Sequence, residues 1–289
     1  MSRSRSFLVI VVTYLVAASV AVAVVFVVDW HPVVELAVAC VAATSVTYVV
    51  IQLTRNGSVF DAYWSVIPPI VGVALAIDHD GGQQARQILL LVLFGLWGIR
   101  LTYNWAVGWP GMHHEDWRYR LYKDKGIMPR WAVDATVVTG FPTLQLVLGS
   151  LPLVPALVRG DAGFGWLDVV AAAVMIVALT IETVADEQLR AFVRARTDGG
   201  AILDTGLWGK VRHPNYLGEL GIWFGLFLFA LAADPGWWWT GIGFVAMLAM
   251  FVFASIPLLD DRSLERRPGY ADHMVRVPAL IPRLSSRNE

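Results

Sequence analysis

Residues 204–225 read DTGLWGKVRHPNYLGELGIWFG, placing Lys210, Arg212 and His213 just before Pro214, Asn215, Tyr216 and Glu219. Proline suits the first position of a helix, where its missing N–H is harmless. An apolar run follows, so a helix is expected to start at Pro214. A helix start carries free amides and partial positive charge, and with cations beside it makes an anion site whose natural ligand is phosphate. Asn215, Tyr216 and Glu219 fall in the first turns, and Glu219 shares a face with Trp223. A cationic loop beside a membrane accounts for Lys210 and Arg212, but not for an amide and a carboxylate on the apolar helix behind them.

Other polar residues sit where lipid-facing helices are expected. An ionisable group inside a span costs about 3 kcal/mol or more unless it finds a partner in the bundle. In IETVADEQLRAF, Glu182, Asp186 and Arg190 recur every four residues and share one helical face. They form either an ion-pair ladder at the membrane boundary or the wall of a polar pocket. In FGLWGIRLTYNWAVGW, Arg100 and Asn104 also share a face, with Tyr103 and Trp105 beside them. Asp61, in SVFDAYW, is either a helix-start residue or an acid of the site. His113, His114, Glu115 and Asp116 are adjacent on one short loop, which does not by itself wrap a tetrahedral ion. No metal is expected, and that loop is assigned to solvent or lipid headgroups. Trp237–Trp239 read as an interfacial aromatic anchor.

The elements that must position these groups follow from composition. The chain has 289 residues, 57% hydrophobic and 16% charged, with a mean hydropathy of +0.59. That balance excludes an ordinary soluble domain. Spans need about 20 mostly apolar residues. Eight windows qualify, at 7–28, 33–54, 59–77, 86–108, 132–158, 166–189, 215–233 and 237–258. The first exceeds a signal-peptide core and is read as a retained span. The third is the weakest, interrupted by Asp61 and Pro68-Pro69; seven spans with a re-entrant segment is the alternative. Of 22 Lys and Arg residues, nineteen fall on the N-terminal side of an eight-span topology, two (Arg86 and Arg159) on the other, and Arg100 within a span. The positive-inside rule then puts both termini in the cytoplasm. The expected fold is an all-α polytopic membrane bundle with a cofactor cavity open to the cytoplasm. An N-terminal hairpin, 1–57, precedes the main bundle, 58–289, as one domain. The single cysteine, Cys40, is assigned to packing, and the net charge of −1 gives no sign of nucleic acid.

Three stretches in order, ETVADEQLRAF, DTGLWGKVRHPNYLGELGIWFG and SIPLLDDRSLERRPGYADHMVRVPALIP, resemble the bacterial branch of the steroid 5α-reductase family over roughly residues 58–283. A looser similarity extends to sterol reductases and to the isoprenylcysteine carboxyl methyltransferases. The resemblance implies NADPH bound in the cytoplasmic half and a lipidic enone admitted from the membrane. It implies cofactor contacts at Arg100, Asp186, Arg190, Asn215 and Glu219. It also implies an acid at Asp61 holding the substrate carbonyl together with a tyrosine one turn before Arg100. That tyrosine position is Trp97 here, so Tyr63 or Tyr103 is the expected substitute. The basic residue expected before GLW is absent, Ala201 or Ile202 standing there, and the acids Asp260 and Asp261 fall in a tail that is basic in the animal enzymes.

The expected activity is reduction of a C=C bond conjugated to a carbonyl, by hydride transfer in the membrane, with Asp61, Tyr63 and Tyr103 as catalytic candidates. Candidate cofactor contacts are Arg100, Asn104, Asp186, Arg190, Arg194, Lys210, Arg212, His213, Asn215, Tyr216 and Glu219. No Gly-x-Gly-x-x-Gly follows a strand, so the nucleotide is expected among helices. The partners are then a lipidic small molecule and membrane lipids, with no nucleic acid, for a monomer in the bacterial inner membrane. Two alternatives remain open: an S-adenosylmethionine-dependent methyltransferase of a lipidic substrate, and a non-catalytic transporter or scaffold.

Overall fold

The computed structural model describes residues 1–160 and 162–283. Arg287, one of the nineteen cations counted above on the N-terminal side, lies outside the described residues. The protein is all-helical, 77% helix, with no strand among the described residues. Eight helices there are long and apolar enough to cross a membrane: Arg3–Val27, Pro32–Thr54, Gly57–Asp78, Gln84–Gly108, Arg130–Ser150, Trp166–Ala195, Pro214–Ala233 and Pro235–Arg266, called here the first to eighth spans. A hydrocarbon interior demands this, because helices satisfy their backbone groups internally. The third span, weakest by sequence, is complete: a 3-10 turn over Gly57–Phe60 leads into a helix over Tyr63–Asp78 that runs through Pro68 and Pro69. The fifth is shorter than its sequence window, because the chain breaks after Ser150 and resumes as a separate short helix, Leu153–Val158.

Small residues let the spans approach. Gly218, Gly221 and Gly225 of the seventh span lie against Glu182, Ala178 and Met175 of the sixth; a Cβ on Gly218 would fall 2.3 Å from Glu182 Cγ. Gly98 of the fourth span lies equally close to the third, 2.4 Å from the Ser65 carbonyl by the same construction. Polar pins hold the two ends of the bundle. At one end, Arg3 donates to the carbonyls of Ala106, Val107 and Trp109, joining the first and fourth spans. At the other, fully buried Arg86 holds Asp168 at 2.6 and 3.0 Å and donates to the carbonyls of Ala162, Gly163 and Ala232. Every nitrogen of that guanidinium has at least one acceptor, as its burial requires.

Candidate functional site

The seventh span does begin at Pro214, with His213 as the residue before it. Arg212 and His213 are nevertheless turned to a task not expected from sequence. Arg212 donates to both oxygens of Asp260, at 3.3 and 2.8 Å, and to the carbonyls of Val277 and Met274, at 2.6 and 3.3 Å. His213 Nε2 lies 3.1 Å from Asp260 Oδ1, and Tyr270 donates to the same oxygen at 2.9 Å. The backbone amides of Arg212 and His213 bond to the Pro278 and Ala279 carbonyls. Buried Asp260 therefore clasps the segment after the eighth span onto the entrance of the seventh. Burial, reinforced by the bond to Asp260, pushes the Tyr270 hydroxyl up to about 12, so it stays a donor.

Beside this clasp opens a cleft of about 310 Å³, lined by Arg196, Arg212, Arg262, Arg266 and Arg267 together with Trp117, Trp208 and Asn215. Among the described residues no Asp or Glu lines it. Of the five guanidiniums, only Arg212 has a carboxylate partner among the described residues. Arg262 stacks over Trp117 at 3.7 Å. Such an arrangement of planar cations, four of them without an ion-pair partner among the described residues, and flat apolar rings suits a phosphorylated, aromatic ligand, although Arg262 and Arg266 also line an adjoining cleft with Asp261 and Glu265. Arg196, Arg262, Arg266 and Arg267 were not among the sequence candidates. They lie on two different elements and show no common pattern along the chain. Arg194 and Lys210, which were candidates, are exposed and do not line the cleft.

The remaining expected cofactor residues meet deeper in the bundle. Arg100 bonds to Asp186 and lies 2.9 Å from Glu182, though without hydrogen-bond alignment to the latter. Its Nε has no partner. Glu219 is clamped by two indoles, Trp97 at 3.0 Å and Trp223 at 2.9 Å. Trp97, which replaces the expected tyrosine, thus orients a carboxylate. Arg190 bonds to Glu187 and, at 3.0 Å, to Asn104. Tyr216 packs between His213 and Phe251, with ring centroids 5.4 and 4.5 Å away. Arg100 is already paired with two carboxylates here, so this cluster is no phosphate site by itself. The expected single cofactor constellation is divided between an acidic interior and a cationic cleft.

At the expected substrate end, two tyrosines are placed away from Asp61. Tyr63 is fully buried and donates to the Cys40 carbonyl at 2.5 Å. Tyr103 is 59% exposed and lies under Arg190. The tyrosine that reaches Asp61 is Tyr119, whose hydroxyl donates to Oδ1 at 2.7 Å. It comes from the short helix Trp117–Asp124, which continues directly from the 113–116 stretch assigned above to solvent or lipid headgroups. His113 and His114 are indeed exposed, but the rest of that stretch is fastened to the start of the third span. Asn56 donates to the Met112 and His114 carbonyls, Glu115 accepts from the Gly57 amide at 2.6 Å, and Ser58 accepts from the Asp116 amide at 2.9 Å. The Tyr119 ring rests on Gly57, where a Cβ would fall 2.9 Å from it. Burial and then the Asp61 charge push the Tyr119 hydroxyl well above its usual range. Burial would also raise Asp116, but the Arg118 side chain overrides it and holds that carboxyl below its usual range.

Residues 47–277 match the family described as a protein of unknown function, DUF1295. The chain belongs to the DUF1295 family. The family falls in the steroid 5α-reductase-like group in general. The DUF1295 match spans the acid–tyrosine pair, the acidic cluster and the cleft, and begins inside the second span. The chain is also 28% identical over 257 residues to an uncharacterized protein of Schizosaccharomyces pombe, C594.04c, covering 80% of this chain and 74% of that one. No solved structure matches.

Proposed function

We propose that the protein is an NADPH-dependent membrane reductase of a conjugated C=C bond in a hydrophobic enone. The observation that carries this reading is the cleft that, among the described residues, has no acid in its lining and four guanidiniums without a carboxylate partner. Its volume is at the low end of small-molecule sites, roughly 300–1,000 Å³, which fits the phosphate-bearing part of a dinucleotide. Arg196, Arg262, Arg266 and Arg267 would hold the phosphates, with Trp117 or Trp208 against an aromatic ring. NADPH, when bound, supplies the reducing electrons. The chain supplies charge and a proton. Negative charge develops on the carbonyl oxygen of an enone as its β-carbon is reduced, and a donor aimed there lowers the barrier. As placed, the Tyr119 hydroxyl donates its proton to Asp61 Oδ1; for it to donate to the carbonyl oxygen instead, Asp61 would carry a proton and donate to Tyr119 Oη. The eight spans make the protein integral to a membrane. That the cleft faces the cytoplasm rests on the charge asymmetry of the loops.

One observation favours the methyltransferase alternative: two carboxylates, Glu182 and Asp186, share the single cation Arg100, and that surplus of acid suits a sulfonium. The cleft weighs against it, since arginines without counter-charges repel a cationic cofactor. Purified protein in detergent, given NADPH and a panel of steroid and isoprenoid enones, is expected to oxidise NADPH in step with loss of the enone. Methyl transfer from S-adenosylmethionine without NADPH oxidation would overturn the reading.

A further inference from the structure

At the end of the bundle away from the cleft, Glu35 of the second span meets Asp78 and His79 at the end of the third. One ligand atom from each lies within 4.8 Å of the others. His79 Nε2 is 2.8 Å from Glu35 Oε2 and 3.7 Å from Asp78 Oδ2. We propose that these three side chains bind a divalent transition-metal ion of the zinc type, tying the first turn of the second span to the end of the third.

Ligand chemistry points to zinc, because one imidazole and two carboxylates form a borderline donor set. Tetrahedral bonds of about 2.1 Å make ligand–ligand edges of about 3.4 Å. The 3.7 Å separation is close to that, and the 2.8 Å contact has only to open slightly. Unlike residues 113–116, these ligands come from two helices. Electrostatics agrees. Two carboxylates face a single imidazole, and the arginines at this end are engaged elsewhere: Arg86 with Asp168, Arg159 with Asp234. A dication with a neutral imidazole brings the cluster to zero net charge. Glu35 is anchored independently of the ion, being 1% exposed with Oε1 accepting from the Trp30 amide at 3.0 Å. Asp78 and His79 have side chains 27% and 23% exposed, which gives an ion entry and leaves room for water as a fourth ligand.

The test uses the full chain in detergent, stripped with EDTA and dialysed free of chelator. Zinc titrated by calorimetry is expected to bind one equivalent per chain, and cobalt(II) in its place to show the visible bands of a tetrahedral site. His79→Gln and Asp78→Asn are expected to weaken zinc by at least about tenfold while far-ultraviolet circular dichroism stays that of the parent. A His113→Ala/His114→Ala variant is expected to bind zinc as the parent does. Absence of stoichiometric zinc binding in the parent would overturn the proposal, as would binding lost in the His113/His114 variant and retained in His79→Gln.

Discussion

Replacing Asp260 with Asn tests the clasp most severely, because it changes charge with almost no change in volume. Asp260 and Arg212 have side chains only 6% and 9% exposed, and Asp260 also faces His213 and Tyr270. The substitution strands the guanidinium and turns one acceptor into an NH₂ group facing donors. Removing one partner of a buried pair costs about 3–5 kcal/mol. Arg212 keeps the Val277 and Met274 carbonyls, so the lower end, about 3 kcal/mol, is expected. At roughly 2–4 °C per kcal/mol for chains of comparable size, Tm falls by about 6–12 °C. The loss is local first: residues 267–283 become cleavable by added protease before the bundle unfolds. Arg212→Met combined with Asp260→Leu is expected to recover much of the loss, with a coupling above about 1 kcal/mol. If Asp260→Asn leaves both Tm and tail cleavage unchanged, the clasp does not hold the tail and the reasoning fails.

Other expectations are as specific. Tyr119→Phe removes the donor to Asp61 and is expected to lower turnover about 100-fold, equivalent to about 3 kcal/mol, with NADPH affinity unchanged. Tyr63→Phe and Tyr103→Phe are expected to stay near the parental rate, which steady-state kinetics would check. Gly218→Ala pushes a methyl to 2.3 Å from Glu182 Cγ and is expected to cost about 1–3 kcal/mol, read by thermal unfolding. Burial and then Arg276 hold His273 below its ordinary value of 6.5. The folded tail therefore resists protonation, and its docking, intact above pH 6.5, weakens as pH falls from 6.5 toward the lowered value. Protease sensitivity of residues 267–283 measured against pH should show that rise, and His273→Gln should remove it.

Much of the fold was legible because lipid imposes strong rules. Hydropathy located all eight spans, including the one broken by Asp61 and Pro68-Pro69, and PNY correctly marked the start of the seventh. Four-residue spacing put Glu182, Asp186 and Arg190 on one face, and the cost of a charge in lipid drew notice to Arg100, which does bond to Asp186. Sequence could not tell which cations would be neutralised. Arg212 looked like a phosphate ligand because its partner, Asp260, is 48 residues away, whereas Arg262 and Arg266 looked like ordinary positive-inside charges. Tyr119 was hidden for a related reason. Its stretch reads as a polar loop, and only the contacts from Asn56, Gly57 and Ser58 bring it to Asp61. Glu35 and His79 were passed over because neither lies in a conspicuous motif.

Calorimetric titration of NADPH into the purified full-length protein tests the central claim most directly. Binding at micromolar Kd, weakened by rising salt and by Arg196→Gln or Arg262→Gln and unmatched by S-adenosylmethionine, is the predicted result. No heat with NADPH, or saturable binding of S-adenosylmethionine alone, would contradict it.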